Sequence, residues 1–251
     1  MAFKNPFQLK TGSSPLLRES VLTNQDNLGD VIGTERMTVS GAINRSLILG
    51  FILVVTSCIS YVMPSTIFLW IGIIGGLICV IAAAFKTQWS PILAPLYVAF
   101  EGLFVGAVSF MYASLFNGIV FQAVSLTLAV FFLMLFLYKS GIIKVNDTFR
   151  SVIIGATGAI ALVYLVSIVL GFFNIQVPFI FGNGLFGIGF SVLVVGIAAF
   201  NLMLDFDFFD KGESAGLPKY MEWYAAMGLW VTLIWLYLEM LRLLSKLSSR
   251  D

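Results

Sequence analysis

Histidine is absent from the 251 residues, and charge is scarce: aspartate, glutamate, lysine and arginine together make up 11% of the chain. Globular domains carry about 25% charged residues, so an ordinary soluble core is excluded. Without histidine, hydrolases built on a histidine base and zinc centres of the usual kind are excluded as well. There are only two cysteines, Cys58 and Cys79, and both fall inside apolar runs where a free thiol serves as a small apolar side chain. A net charge of +1 offers no electrostatic footprint for nucleic acid. The first 45 residues have no apolar stretch behind a short basic start, so no cleavable signal peptide is expected.

Long apolar runs are what the chain has in abundance, with 59% hydrophobic residues overall. Seven runs stand out, at about 46–63, 66–85, 92–113, 118–138, 152–173, 184–204 and within 221–247. Each is long enough to cross about 30 Å of hydrocarbon as a helix. The runs are continuously apolar, whereas barrel strands alternate apolar with polar, so helices are expected. The expected architecture is an all-α, polytopic bundle of seven transmembrane helices over 46–247, preceded by a polar, mobile tail (1–45) and followed by a short tail (248–251).

Basic residues are unevenly placed. Lys4, Lys10, Arg18, Arg36 and Arg45 precede the first run; Lys86 lies in the second loop, Lys139, Lys144 and Arg150 in the fourth, and Lys211 and Lys219 in the sixth. The first, third and fifth loops carry no charge. Positive residues favour the cytoplasm, so the N-terminus is expected there. Arg242, Lys246 and Arg250 run against this bias if the last segment spans. Either that segment is re-entrant, or it spans because the earlier loops set the orientation; seven spans is the expectation.

Acids inside these runs are the informative residues, since a charge near the bilayer centre costs roughly 2.5–3.5 kcal/mol on insertion scales. Glu239 lies within LWVTLIWLYLEMLRLL and must face the bundle, either protonated or paired; Arg242, three residues on, is a candidate intrahelical partner. Asp205 is the deepest of a cluster with Asp207 and Asp210, whose neighbours Phe206, Phe208 and Phe209 fit a solvated, interfacial helix end. Glu101 precedes Gly102 and Gly106, a spacing that lets another helix approach; it is either hydrogen-bonded across that interface or lines a polar path. Gly155 and Gly158 in the fifth run are expected to serve close packing too. If Asp205 and Glu239 meet in low dielectric they do not both ionise readily, and a shared proton makes a pH-dependent latch between two helices. Lys86 is either a flanking residue or a cationic counterpart to them. The only stretch similar to an intramembrane aspartyl protease motif, GIGF at 187–190, has no aspartate. No enzyme is expected.

These residues carry a resemblance. MTVSGAIN (37–44), YVAFEGLFVGAVS (97–109), LYKSGIIKV (137–145), NLMLDFDF (201–208) and PKYMEWYAA (218–226) with the later acid Glu239 resemble the bacterial branch of the Bax inhibitor (transmembrane Bax-inhibitor-motif) family. The resemblance implies a seven-helix fold with a central last helix. In members that conduct calcium it implies an acidic pair on the last two helices acting as pH sensor, which falls here on Asp205 and Glu239. Glutamate stands where the family has its second aspartate, the connection 206–238 is longer, and a family arginine has only Lys86 as rough counterpart. The implied function is a pH-sensitive calcium leak channel in a bacterial inner membrane, calcium being the permeant ion or transiently bound at Asp205 and Glu239, with no other cofactor. The alternative is a non-conducting regulator that binds a membrane protease or a stress-response partner through its N-terminal tail.

Overall fold

The structure is a computed structural model that describes residues 36–173, 182 and 184–249. The expected docking tail lies mostly in 1–35, outside the described residues. Among the described residues lie seven α-helices: α1 Val39–Val62, α2 Thr66–Phe85, α3 Ser90–Leu115, α4 Ile119–Lys139, α5 Asp147–Phe172, α6 Leu185–Ser214 and α7 Met221–Ser248. All seven are long and apolar enough to cross a membrane. The protein is therefore a multi-pass, all-α membrane bundle.

Local sequence explains the boundaries. Thr38 caps α1 by accepting from the Gly41 amide at 2.9 Å, and Asn146 caps α5 through the Phe149 amide at 2.7 Å. A single 3-10 turn, Thr87–Trp89, leads into α3, where proline occupies the first turn without breaking an intrahelical bond. Gly216 turns the chain between α6 and α7 at φ 62, a left-handed conformation costly for other residues.

Three helices run beyond their apolar segments at the end of the bundle where α1 begins, hereafter the N-terminal face. Helix α1 begins at Val39, so the polar tail ends earlier than position 45. Helix α6 continues through the acid cluster to Ser214, and α7 starts at Met221. The extensions persist because their polar groups pair within the bundle. Asp207 pairs with Arg150 and with Lys211; Asp210 accepts from Tyr138 at 2.7 Å; Glu222 accepts from the Thr38 amide and hydroxyl at 3.2 Å and faces Arg45 at 3.7 Å. Asp207 is thus buried rather than solvated. The chain at Met37 is pinned to the α6–α7 turn by its amide bond to Leu217 O, 2.7 Å.

Helix α7 is continuous over 28 residues, which removes the re-entrant option. It is the most buried span and packs against α1, α3, α4 and α6. Small residues fill the contacts, among them Ala42, Ala94, Ala198 and Ala226, while Phe51, Phe121 and Leu165 point outward. This is the pattern of helices associating within lipid, where close backbone approach matters more than hiding large apolar groups. Helix α5 is the loosest element, packing chiefly on α6. Its Gly155 and Gly158 have no neighbouring atom within 4 Å of an added Cβ, so the expected tight packing there is not observed.

Candidate functional site

A cavity of about 490 Å³ opens near the N-terminal face between the end of α2, the start of α5, the lower part of α6 and the first turns of α7. Its wall is mostly apolar. The exceptions that carry charge are Asp205 and Arg150; Thr232 and Tyr224 add hydroxyls.

Asp205 reaches this wall because α6 continues inward past the apolar run. On α7 it faces Gly228, where an added Cβ would come within 3.7 Å of Oδ1, and the Thr232 hydroxyl one turn further on. Asp205 Oδ2 is buried and has no hydrogen-bond partner among the described residues. Such an orphaned oxygen is uncommon in a folded protein and calls for an explanation. Arg150, the cation of the same cavity, is instead held by Asp207, itself also bound to Lys211 at 2.9 Å.

Glu239 is elsewhere. Gly228 and Glu239 are eleven positions apart on one helix, about 16 Å of rise. The Glu239 side chain is 2% exposed; Arg242 donates to its two oxygens at 2.8 and 3.1 Å, and Tyr164 of α5 donates at 2.9 Å. The Arg242 guanidinium also lies over the Tyr164 ring, 4.9 Å from its centre. The two acids are therefore not brought together: the last-helix position opposite Asp205 is held by glycine and threonine, and Glu239 is already compensated.

From the N-terminal face to Glu239 the polar groups form a track. Arg150 and Asp207 join α5 to α6; Asp205 and Thr232 join α6 to α7; Asn201 donates to Thr157 at 2.7 Å, again joining α6 to α5; Tyr164 and Glu239 join α5 to α7. Towards the opposite face Lys246 donates to Gly187 O and Ser191 Oγ, both at 2.9 Å. Isolated polar residues in lipid-spanning helices would each be costly, so their alignment along one three-helix seam is a property of the fold.

A family model described as Bax inhibitor 1 like matches residues 8–249, nearly the whole chain. The chain belongs to this family. No curated protein and no solved structure matches it.

In this Bax inhibitor 1 like chain the remaining expected residues fall apart. Glu101 sits on the α2–α3 interface, its Oε1 against Gly76, where an added Cβ would lie 2.5 Å away; it does not line the cavity. Lys86 caps the end of α2 and lies over the Trp89 ring, 4.6 Å from its centre, as a flanking residue. Arg242 is the partner of Glu239. Sequence reasoning missed Arg150, Tyr164 and Thr232. Arg150 reads as one more positive residue beside a loop, and the other two as ordinary members of apolar runs. It also missed Glu222, which reads as part of an interfacial stretch because Tyr220, Trp223 and Tyr224 mix aromatic rings with its charge. Among the described residues no three acidic or cysteine side chains come together as a metal site. Calcium takes six to eight oxygens, and the cavity offers side-chain oxygens only from Asp205, Thr232 and Tyr224. That donor set does not hold a resident calcium ion.

Proposed function

We propose that this protein is a pH-sensitive calcium leak pathway of a bacterial inner membrane, with its N-terminal face in the cytoplasm and no enzymatic step. The switch is the proton on Asp205 alone, not one shared with Glu239. The observation that carries the reading is the Asp205 carboxyl: it stands at the wall of a cavity near one face, its Oδ2 has no hydrogen-bond partner among the described residues, and the polar seam runs past it. Calcium passes in exchange for part of its water shell and needs no full coordination cage.

The groups around Asp205 make its charge matter. Helix α7 presents Gly228 and Thr232, without charge; α2 presents Val80 and Ala83; α5 presents Arg150, whose charge is taken up by Asp207. An ionised Asp205 is thus the local attraction for a cation, and a protonated one offers none. A loosely packed α5, which contributes Arg150, Thr157 and Tyr164 to the seam, is the element whose displacement would open it.

The expected result is calcium entry into dye-loaded liposomes that rises with pH. Asp205→Asn lowers it about tenfold at the alkaline end, equivalent to about 1.4 kcal/mol, and flattens its pH response. A unit charge at contact distance is worth about 4 kcal/mol at an effective dielectric of 20, so a loss of this size is modest. Glu239→Gln keeps the pH response. Flux no greater than in empty liposomes, or an unchanged pH profile in Asp205→Asn, refutes the reading.

A further inference from the structure

The cavity has a second property that ion passage does not use. Three of its lining residues, Ala84, Ile154 and Val231, are exposed apolar residues on helices long and apolar enough to cross the membrane. Exposed apolar side chains on spanning helices face lipid, so at this rim the cavity is within reach of an occupant from the bilayer. Inside, Val80, Phe208 and Met227 continue the apolar lining towards one carboxyl group. At about 490 Å³ the space falls within the roughly 300–1,000 Å³ of small-molecule sites, which are apolar with a few orienting polar groups.

We propose that this cavity binds an amphiphilic primary amine, with its ammonium on Asp205 and its apolar body against Val80, Phe208 and Met227. The charge arrangement selects the sign. Arg150 is bound to Asp207, so it is not available to an anionic head group, whereas Asp205 has no cationic partner among the described residues. An ammonium brings three donors, enough for the orphaned Asp205 oxygen and the Thr232 hydroxyl. Desolvating that charge is offset by the pairing, and the apolar body supplies the rest of the affinity. A fully hydrated metal ion gains nothing from the apolar wall. The same chemistry has two sources: the head group of an aminophospholipid, or a free amphiphilic amine dissolved in the bilayer.

Binding is read without calcium and without flux, so this inference and the leak pathway fail separately. Tritiated 1-aminoadamantane is bound to the full chain in nanodiscs of phosphatidylcholine by scintillation proximity. The expected result is saturable binding, at least tenfold weaker in Asp205→Asn and in Ala84→Phe, which fills this rim from an exposed position. Unlabelled amine displaces the probe, while 1-adamantanol and 1-adamantanecarboxylate do not. No saturable binding, equal binding by both variants, or displacement by the alcohol as readily as by the amine overturns the proposal. In a parallel arm, nanodiscs containing phosphatidylethanolamine separate the sources. Loss of probe binding there supports a lipid occupant, and retained binding supports a free amine.

Discussion

Replacing Arg242 with Met lowers the unfolding free energy by about 3 kcal/mol, the lower end of what breaking a buried ion pair costs. The loss falls on the partner left behind. Glu239 is 2% exposed, and without Arg242 the Tyr164 hydroxyl is the one hydrogen-bond donor that its carboxylate keeps among the described residues. Glu239→Gln alone is milder, about 1 kcal/mol on the scale of a single hydrogen bond, because Arg242 is 30% exposed on its side chain and can turn outward. The double variant, Glu239→Gln with Arg242→Met, recovers most of the stability. It leaves a neutral amide that still accepts from Tyr164 and no carboxylate stripped of its guanidinium. Reversible unfolding in mixed micelles, followed by circular dichroism, measures all four corners of this cycle. Additive losses would show that the pair is not coupled. The cycle also bears on function: strong coupling here makes Glu239 a carboxylate already committed to a cation of its own helix, not a second switch.

The bundle itself was legible because seven continuous apolar runs in a chain with 11% charge allow little else. The acids were legible for the same reason, since each stands out against its surroundings. What could not be read was which acid meets what. A likeness of local context joins Asp205 to Glu239 in the sequence, and that likeness fixes no register between α6 and α7. Register depends on how far α6 runs past Leu204 and where α7 starts. Those limits are set by partners from elsewhere in the chain: Arg150 and Lys139 for the end of α6, Thr38 and Arg45 for the start of α7. Arg150 shows the difficulty most clearly. By position it is one more positive residue beside a loop, and only the structure reveals that it lines the same cavity as Asp205 while bound to Asp207.

The glycines give the sharpest contrast between spacing and contact. Gly102 and Gly106 on α3 and Gly155 and Gly158 on α5 have similar spacings, yet only the first pair is enclosed. At Gly106 an added Cβ would lie 2.2 Å from the backbone oxygen of Ser57, and at Gly102 it would lie 1.8 Å from the Thr56 hydroxyl and 2.8 Å from Leu53 O. The obstruction at Gly106 is backbone on α1, which cannot rotate away. Gly106→Ala is therefore expected to cost about 3 kcal/mol, the upper end of overpacking penalties. This reverses the usual preference of a helix interior for alanine over glycine, about 1 kcal/mol. Gly106→Val adds little more, since the first carbon already forces the helices apart. Separation also stretches the Ser60 hydroxyl from Leu103 O, now 2.7 Å, so the α1–α3 contact is lost as a unit. Gly158→Val, with open space around it, stays within about 0.5 kcal/mol of the parent, as surface substitutions do. Melting temperatures in detergent for the three variants decide the matter. A Gly106→Ala protein as stable as its parent would mean that α1 and α3 do not approach this closely.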